Sequence, residues 1–501
     1  MRRFPRTAST GQHVARRAKR CLSFTKGRRT LRSSGECPVG FDDLCGQLEA
    51  GPLTGSKSAW GVAMGWNRWY AARSYVRTAL WIVPLLTLVV EQVVIRIAAS
   101  VDAQVAWVPW VGASAQGILG ELDTISTLAI SFIVFTFGSL LVAIQVAGGQ
   151  LTPRIIATTL LRNNVIRFTV GLFSFTLFFA VGIKARSDDR ILHVGGTLAV
   201  FLGIASTMAF LFLIDYTARL LRPVAIVWRI GEQGIKVIDS VYPETVELPL
   251  ISAPTRPALG PPARVVVHRG KSGVVLAVNL ATLVALARDA EGIIECVHRV
   301  GNFVAAEEPL FHLYGGAAAL GDDRLRAQVA FGAERTIEQD STFAFRVIVD
   351  VAIKALSKAI NDPTTAVLSL DQLHRLLRIV GRRHLHDDSL HDGKGQLRLI
   401  FPTPGWDDFV QLACREIRLY GAENFQVARR MRAMIENLMV ILPARRHPAL
   451  QLELDLLQRA LAKLHDFPED LALACKADLQ GLGGASSLSA QELWARGDRH
   501  S

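Results

Sequence analysis

Four long apolar runs stand out in the first half of the chain, and each is about as long as a helix that crosses a lipid bilayer. A helix rises about 1.5 Å per residue, so about 20 apolar residues cross roughly 30 Å of hydrocarbon. The runs cover approximately residues 77–96, 122–147, 166–184 and 191–215. The pattern therefore predicts four transmembrane helices.

Beyond the fourth run the pattern changes to short β-rich segments and then to helical spacing. Proline and small residues over 243–262 indicate a linker, and residues 264–313 alternate as short strands do, with one helical stretch over 280–290. The predicted fold class is an α-helical membrane protein with four transmembrane helices plus a cytoplasmic α+β region. That region combines a small β-barrel-like module with a helical domain.

These patterns divide the chain into six predicted parts. They are a disordered basic tail (1–63) that translation from Met64 would leave out, a transmembrane domain (64–230), a linker (231–263), the barrel-like module (264–315), the helical domain (316–470) and a disordered tail (471–501).

The distribution of Lys and Arg predicts the orientation in the membrane. Residues 97–121, between the first two runs, contain neither Lys nor Arg, whereas the next loop carries Arg154, Arg162 and Arg167. Short loops rich in Lys and Arg stay in the cytoplasm. Both termini are therefore expected to be cytoplasmic, in a multi-pass protein of the cell inner membrane whose first partner is the lipid bilayer.

The remaining charge and cysteine patterns point to no reaction and no cofactor. The net charge of +12 is concentrated in the first 63 residues, so binding of nucleic acid is not expected. The six cysteines form no C-x-x-C pair, and no nucleophile–base, phosphate-loop or metal motif is recognisable. We therefore expect neither metal nor enzyme activity. Three later arginines, Arg429, Arg430 and Arg432, are expected on the solvated face of a helix.

The second apolar run carries a stripe of small and polar residues. They recur at steps of four and seven residues, and so share one helix face; they are Thr127, Ser131, Gly138, Gln145 and Gly149. Such a stripe favours close packing against another helix, which is the more common case, or the lining of a pore.

The stretch from 331 to 377 is the densest in charged residues and helix signals. Asp340 or Ser341 is expected to cap one helix, and Asp362 to cap the next one with Pro363 in its first position. Eight side chains are candidates for binding a cation, phosphate or carboxylate: Arg335, Glu338, Asp340, Arg346, Asp350, Asn361, Asp362 and Thr364. Capping and neighbouring charge pairs are the simpler interpretation of the same residues.

Several segments resemble a known family of membrane proteins, domain of unknown function 2254. The most specific are Glu334–Asp340, Ala355–Ser357 and Ala359–Ala366, and the segments 140–154 and 417–421 are also similar. The resemblance covers roughly residues 65–464. It implies a four-span membrane protein with a cytoplasmic domain and carries no assigned activity.

Two functions remain open on the sequence. The first is a homo-oligomeric channel or permeation protein in which the second run lines the path and the cytoplasmic domains form a vestibule. The second is a membrane-anchored binding or signalling module, in which the region from Arg335 to Thr365 recognises a soluble ligand and the apolar helices act as a tether.

Overall fold

The protein is described by a computed structural model that covers most of the chain after the basic tail. The described residues are 65–79, 81–104, 115–150, 163–186, 193–220, 222–243, 259–385 and 388–483. The tail predicted over 1–63 lies outside them, as do residues 484–501 of the predicted C-terminal tail.

Among the described residues of the first half, four helices are long and apolar enough to cross a membrane. After a short helix, α1 (Trp66–Thr78), they are α2 (Ile82–Gln104), α3 (Ala115–Gln150), α4 (Asn164–Arg186) and α5 (His193–Leu220). Their apolar stretches agree with the four predicted runs to within several residues. The prediction of four membrane-spanning helices is confirmed at this level.

Helix α4 lies at the centre of this bundle, and α2, α3 and α5 each pack against it. Its side chains Phe173, Phe179, Ala180 and Ile183 are fully buried. The outward faces of the other three helices expose large apolar residues such as Val89, Leu141, Phe201 and Met208, as a hydrocarbon environment requires.

Both flanking regions lie at the same end of the bundle. Arg167 Nη2, near the start of α4, donates to Val76 O of α1 at 3.0 Å. Tyr70 Oη of α1 donates to Glu338 Oε2, in the second half of the chain, at 2.6 Å. The segments before α2 and after α5 are therefore on one side of the membrane-spanning unit, as four crossings require.

Helix α6 (Pro223–Val241) connects the bundle to the second half of the chain. The predicted linker begins at residue 231, inside this helix. Ile226, Ile230 and Ile238 are buried against the helical domain because the apolar residues recur at helical spacing. Gly234 permits the close approach, since a Cβ there would lie 2.8 Å from Ala344 Cβ. Residues 231–241 are thus part of a domain core.

A β module follows, made of two sheets with short helices against them. Its strands are β1 (Arg264–Val267), β2 (Gly273–Val278), β3 (Gly292–Cys296), β4 (Phe303–Val304), β5 (Pro309–Gly315), β6 (Val329–Gly332), β7 (Ser389–His391) and β8 (Leu397–Ile400), and its helices are α7 (Leu280–Asp289) and α8 (Asp322–Arg326). One sheet has the order β1-β5-β3-β8-β7 and the other β4-β2-β6.

The strands that the structure describes do not close into a barrel, so the barrel-like prediction is not confirmed. Strands β6, β7 and β8 come from beyond residue 315, the predicted end of the module, and complete both sheets. Only β8 runs parallel to its neighbour β3 among the described pairs. Sequence pattern identified β1 to β5, but the long-range pairing with β8 was not encoded in any local signal.

The helical domain contains six helices and shares one apolar core with α6 and the membrane bundle. The helices are α9 (Ser341–Ala355), α10 (Pro363–Gly381), α11 (Trp406–Gly421), α12 (Phe425–Ile441), α13 (His447–Leu464) and α14 (Pro468–Ala474). Asp340 caps α9 and Asp362 caps α10, as predicted. The chain is ordered past the predicted boundary at 470, through a turn that reaches Gly483.

Candidate functional site

The small and polar stripe lies on the face of α3 that points away from its own bundle. Leu122, Ala129, Thr136 and Ala143 are buried and lie on the opposite side of the helix. The stripe residues Thr127, Ser131, Gly138 and Gln145 are exposed, whereas the surroundings of Gly149 lie outside what the structure describes. The exposed stripe therefore faces lipid or another molecule.

The hydroxyl groups of the stripe are hydrogen-bonded within α3. Thr127 Oγ1 donates to Asp123 O at 2.9 Å, and Ser131 Oγ donates to Thr127 O at 2.8 Å. This i−4 bonding satisfies the donor and leaves the oxygen lone pairs facing outward. The stripe is thus compatible with an apolar environment, with a neighbouring helix, or with water.

Two open grooves separate α3 from α5 beside the stripe. One has a volume of about 610 Å³ and is lined in part by Thr124, Gly203 and Thr207. The other, of about 600 Å³, is lined in part by Gly138 and Thr217. Because small and hydroxyl side chains line parts of both grooves, the grooves have room for side chains of a second helix.

A polar layer lies near the end of α4 that is remote from the helical domain. Lys184 Nζ is 2.5 Å from Asp123 Oδ1 of α3, and Arg186 Nη2 donates to Gln92 Oε1 of α2 at 3.2 Å. Glu91 is buried beside them, and Gly182 makes room for it, because a Cβ there would be 2.5 Å from Glu91 Oε1. This layer joins α2, α3 and α4.

The Glu334–Asp340 segment forms a junction between α9 and other parts of the molecule. Asp340 Oδ1 accepts hydrogen bonds from Thr342 N and Phe343 N, both at 3.1 Å. Arg335 Nε donates to Gly301 O of the β module at 2.7 Å and lies 3.7 Å from Asp340 Oδ2. Burial raises the pKa of the Asp340 carboxyl, although the hydroxyl of Thr342 and the charge of Arg335 oppose that shift.

Glu338 and Gln339 connect the same segment to α1 and to β2. Glu338 accepts the hydrogen bond from Tyr70 described above, and Gln339 Oε1 accepts from Val278 N at 3.1 Å. Glu338, Gln339 and Asp340 thus each bond to groups of the protein, with roles in joining elements.

Arg346 and Asp350 belong to a second cluster, on a half-buried flank of α9. Arg346 Nε donates to Asp350 Oδ1 at 2.7 Å, and Nη2 donates to Glu416 Oε2 of α11 at 3.1 Å. Burial alone would lower the pKa of Arg346, but the two carboxylates raise it overall. The Arg346 hydrogen bond in turn holds the pKa of Glu416 below its ordinary value. Sequence analysis did not identify Glu416, which is 70 residues away in the chain.

Asn361, Asp362 and Thr364 form a third group, where the loop after α9 leads into the first turn of α10. Asp362 Oδ1 accepts from Thr365 N at 3.0 Å, and Asn361 adopts a left-handed conformation with φ of 49°. Asp340 and Asp362 stand at opposite ends of the 15-residue helix α9, which is about 22 Å long. The eight candidate ligand-binding residues therefore do not converge on one site.

The prediction that Arg429 and Arg430 lie on a solvated face is wrong. Arg429 is fully buried, with Nε donating to Lys476 O and Nη1 to Gly483 O, both at 2.9 Å. The turn that holds it depends on Asp478, whose carboxylate accepts from the backbone N–H of Gln480, Gly481 and Gly483. An aspartate followed by closely spaced glycines is a signal for such a turn that the sequence analysis did not use.

Four apolar membrane-spanning helices with an α+β region on one side define a polytopic membrane protein. The chain belongs to the family described as "Predicted membrane protein (DUF2254)", whose model matches residues 77–437. The resemblance of the Glu334–Asp340 and Ala359–Ala366 segments to that family is thereby confirmed.

The similar proteins carry no assigned function. They include an uncharacterized protein of Mycobacterium tuberculosis (strain H37Rv) and one of Mycobacterium bovis. Each is 25% identical over 382 residues, which cover 72% of this chain and 71% of the relative. No solved structure matches the chain.

Proposed function

We propose that the protein is a homo-oligomeric permeation protein of the inner membrane, in which α3 helices from several copies face a common axis. The observation that carries the proposal is the direction of the stripe. Thr127, Ser131, Gly138 and Gln145 are exposed on the face of α3 that points away from the centre of the bundle, so this small and polar face is available to a second copy. Around a symmetry axis each position would form a ring.

The packing of the bundle favours a path between copies over a path through one copy. The centre of the bundle is filled by α4, whose Phe173 and Phe179 are fully buried. A path through one copy would require these two side chains to move, whereas a route along the outer face of α3 would leave them in place. The α+β region, joined to the bundle through α6, would then form a vestibule on the cytoplasmic side, the side on which the Lys- and Arg-rich loops are expected.

The alternative, a membrane-anchored ligand-binding module, has weaker support. Its candidate residues are divided among three clusters, and in each one the charged groups already pair with groups of the protein. The proposal accordingly contains no catalytic step and no cofactor.

Conductance of the reconstituted protein tests the proposal. Thr127→Cys and Gln145→Cys should give currents in planar bilayers that a charged methanethiosulfonate reagent changes. Val90→Cys, on the exposed outer face of α2, is the matched control and should give currents that the reagent leaves unaltered. Absence of conductance under voltage and membrane tension would contradict the proposal, as would equal responses at all three positions.

A further inference from the structure

The helical domain has one end that lies at the membrane-spanning bundle. Helix α6 starts next to the end of α5 and runs away from it, and the side chain of Tyr242, just after α6, lies beside Ser341 at the start of α9. Helix α9 then returns toward the bundle. Near its last turn, Lys354 Nζ donates to Gly148 O of α3 at 3.3 Å.

Helix α11 runs parallel to α9, so its last turn reaches the same end. The rings of Phe345 and Phe409 are 5.2 Å apart near the starts of the two helices. Near their ends, a Cβ on Gly421 would be 3.0 Å from Leu356 Cδ1. The loop 356–362 and the end of α11 therefore lie side by side, close to the terminus of α3.

This end of the domain exposes apolar side chains. Leu419 and Tyr420 are each more than half exposed, and Ile360 is 36% exposed. The left-handed Asn361 reverses the chain directly after Ile360, and its N–H donates to Ser357 O at 2.8 Å. The reversal holds Ile360 at the tip of the loop, where Lys358 is also exposed.

We propose that Ile360, Leu419 and Tyr420 insert into the interfacial layer of the bilayer on the side where α3 ends. Gly148 is only three residues beyond Gln145, the last residue of the apolar stretch of α3, so the contact with Lys354 lies close to the lipid head groups. Tyrosine and leucine are suited to that layer, and Lys358 can extend its ammonium group to the phosphates. The Ala359–Ala366 segment thereby acquires a role in seating the helical domain on the membrane.

Quenching of a fluorophore at single positions tests this contact in the full-length protein. NBD is attached to Ile360→Cys, Tyr420→Cys or the control Val440→Cys, in a chain whose six native cysteines are replaced by alanine. Val440 is 40% exposed near the other end of the domain and so matches Ile360 in exposure. The variants are reconstituted into phosphatidylcholine vesicles with and without 5-doxyl lipid, with iodide present on both sides.

At positions 360 and 420 we expect doxyl quenching several-fold stronger than at 440, and weaker quenching by iodide. Iodide quenching equal to that at 440 would overturn the proposal, because the two positions would then be in water. Protection from both quenchers would also overturn it, since it would indicate that protein, such as a second copy, covers this end. Neither result depends on conductance, so the test is separate from that of the permeation proposal.

Discussion

At the scale of single residues, the helical domain depends on buried polar groups that each have specific partners. Arg429 has its guanidinium inside the domain, where it donates to two carbonyl oxygens of the C-terminal turn. His374 lies between α10 and α12, with Nε2 2.9 Å from Asn437 Oδ1 and Nδ1 3.3 Å from Arg430 Nη2. We expect both side chains to affect the stability of the helical domain, and the effect of each can be tested separately.

Replacing Arg429 should destabilise the helical domain strongly. Arg429→Met removes the buried donors to Lys476 O and Gly483 O, and each part-buried carbonyl left without a partner costs about 1–3 kcal/mol. We expect the free energy of unfolding to fall by about 2–5 kcal/mol in urea titrations of the detergent-solubilised protein. Arg432→Met is the matched control, because its partner Glu436 is on the same, more exposed side of α12; its cost should stay below about 1 kcal/mol.

His374 should make the domain less stable at acidic pH. Burial, followed by the charge of Arg430, lowers its pKa to about 4. The unfolded chain binds a proton near pH 6.5 and the folded chain does not, so stability decreases as the pH falls from about 6.5 to 4, by about 1.4 kcal/mol per pH unit. Between pH 7 and 5 this amounts to about 2 kcal/mol.

Urea titrations of His374→Gln at the two pH values measure this contribution. The variant should lose roughly 2 kcal/mol less than the wild type between pH 7 and 5. His391→Gln, at an exposed histidine, should retain the wild-type dependence. An unchanged pH dependence in His374→Gln would show that another group is responsible.

At the scale of elements, capping explains the one charged residue of the Ala359–Ala366 segment, Asp362. Asp362 accepts the N–H of Thr365, and Pro363 occupies the first position of α10. Capping and ligand binding make different predictions for substitutions at Asp362, because an amide oxygen caps a helix as well as a carboxylate does.

Asp362→Ala should therefore lower the free energy of unfolding by about 0.5–2 kcal/mol, whereas Asp362→Asn should stay within a few tenths of a kcal/mol of the wild type. Thermal unfolding of the two purified variants, followed by circular dichroism, makes the comparison. Equal destabilisation by both substitutions would mean that the negative charge matters, which capping alone does not explain.

At the scale of the whole molecule, α6 makes the membrane bundle and the helical domain one structure. Five of its buried apolar side chains, Ile226, Val227, Ile230, Val237 and Ile238, pack into the core of the helical domain. Burial of each contributes about 1.5–3 kcal/mol, and the sum of roughly 10 kcal/mol is comparable to the total stability of a domain.

A fragment of the second half should consequently fold only if it includes α6. We expect residues 223–483 to give dispersed amide resonances and resistance to proteolysis, and residues 263–464 to be unfolded or aggregated. The shorter fragment also lacks the turn around Asp478, so a third fragment, 223–464, separates the two contributions. A folded 263–464 fragment would contradict the role assigned to α6.

The local sequence determined the membrane-spanning helices, the caps at Asp340 and Asp362, and strands β1 to β5, because hydrophobic length, capping chemistry and alternation act over a few residues. Tertiary structure decided which groups are buried or brought together. Arginine is usually found at protein surfaces, and Arg429 is buried only because the C-terminal turn folds over it. Likewise, β8 pairs with β3 across about 100 residues, and Glu416 pairs with Arg346 across 70. No local sequence pattern indicates that groups so far apart in the chain will meet.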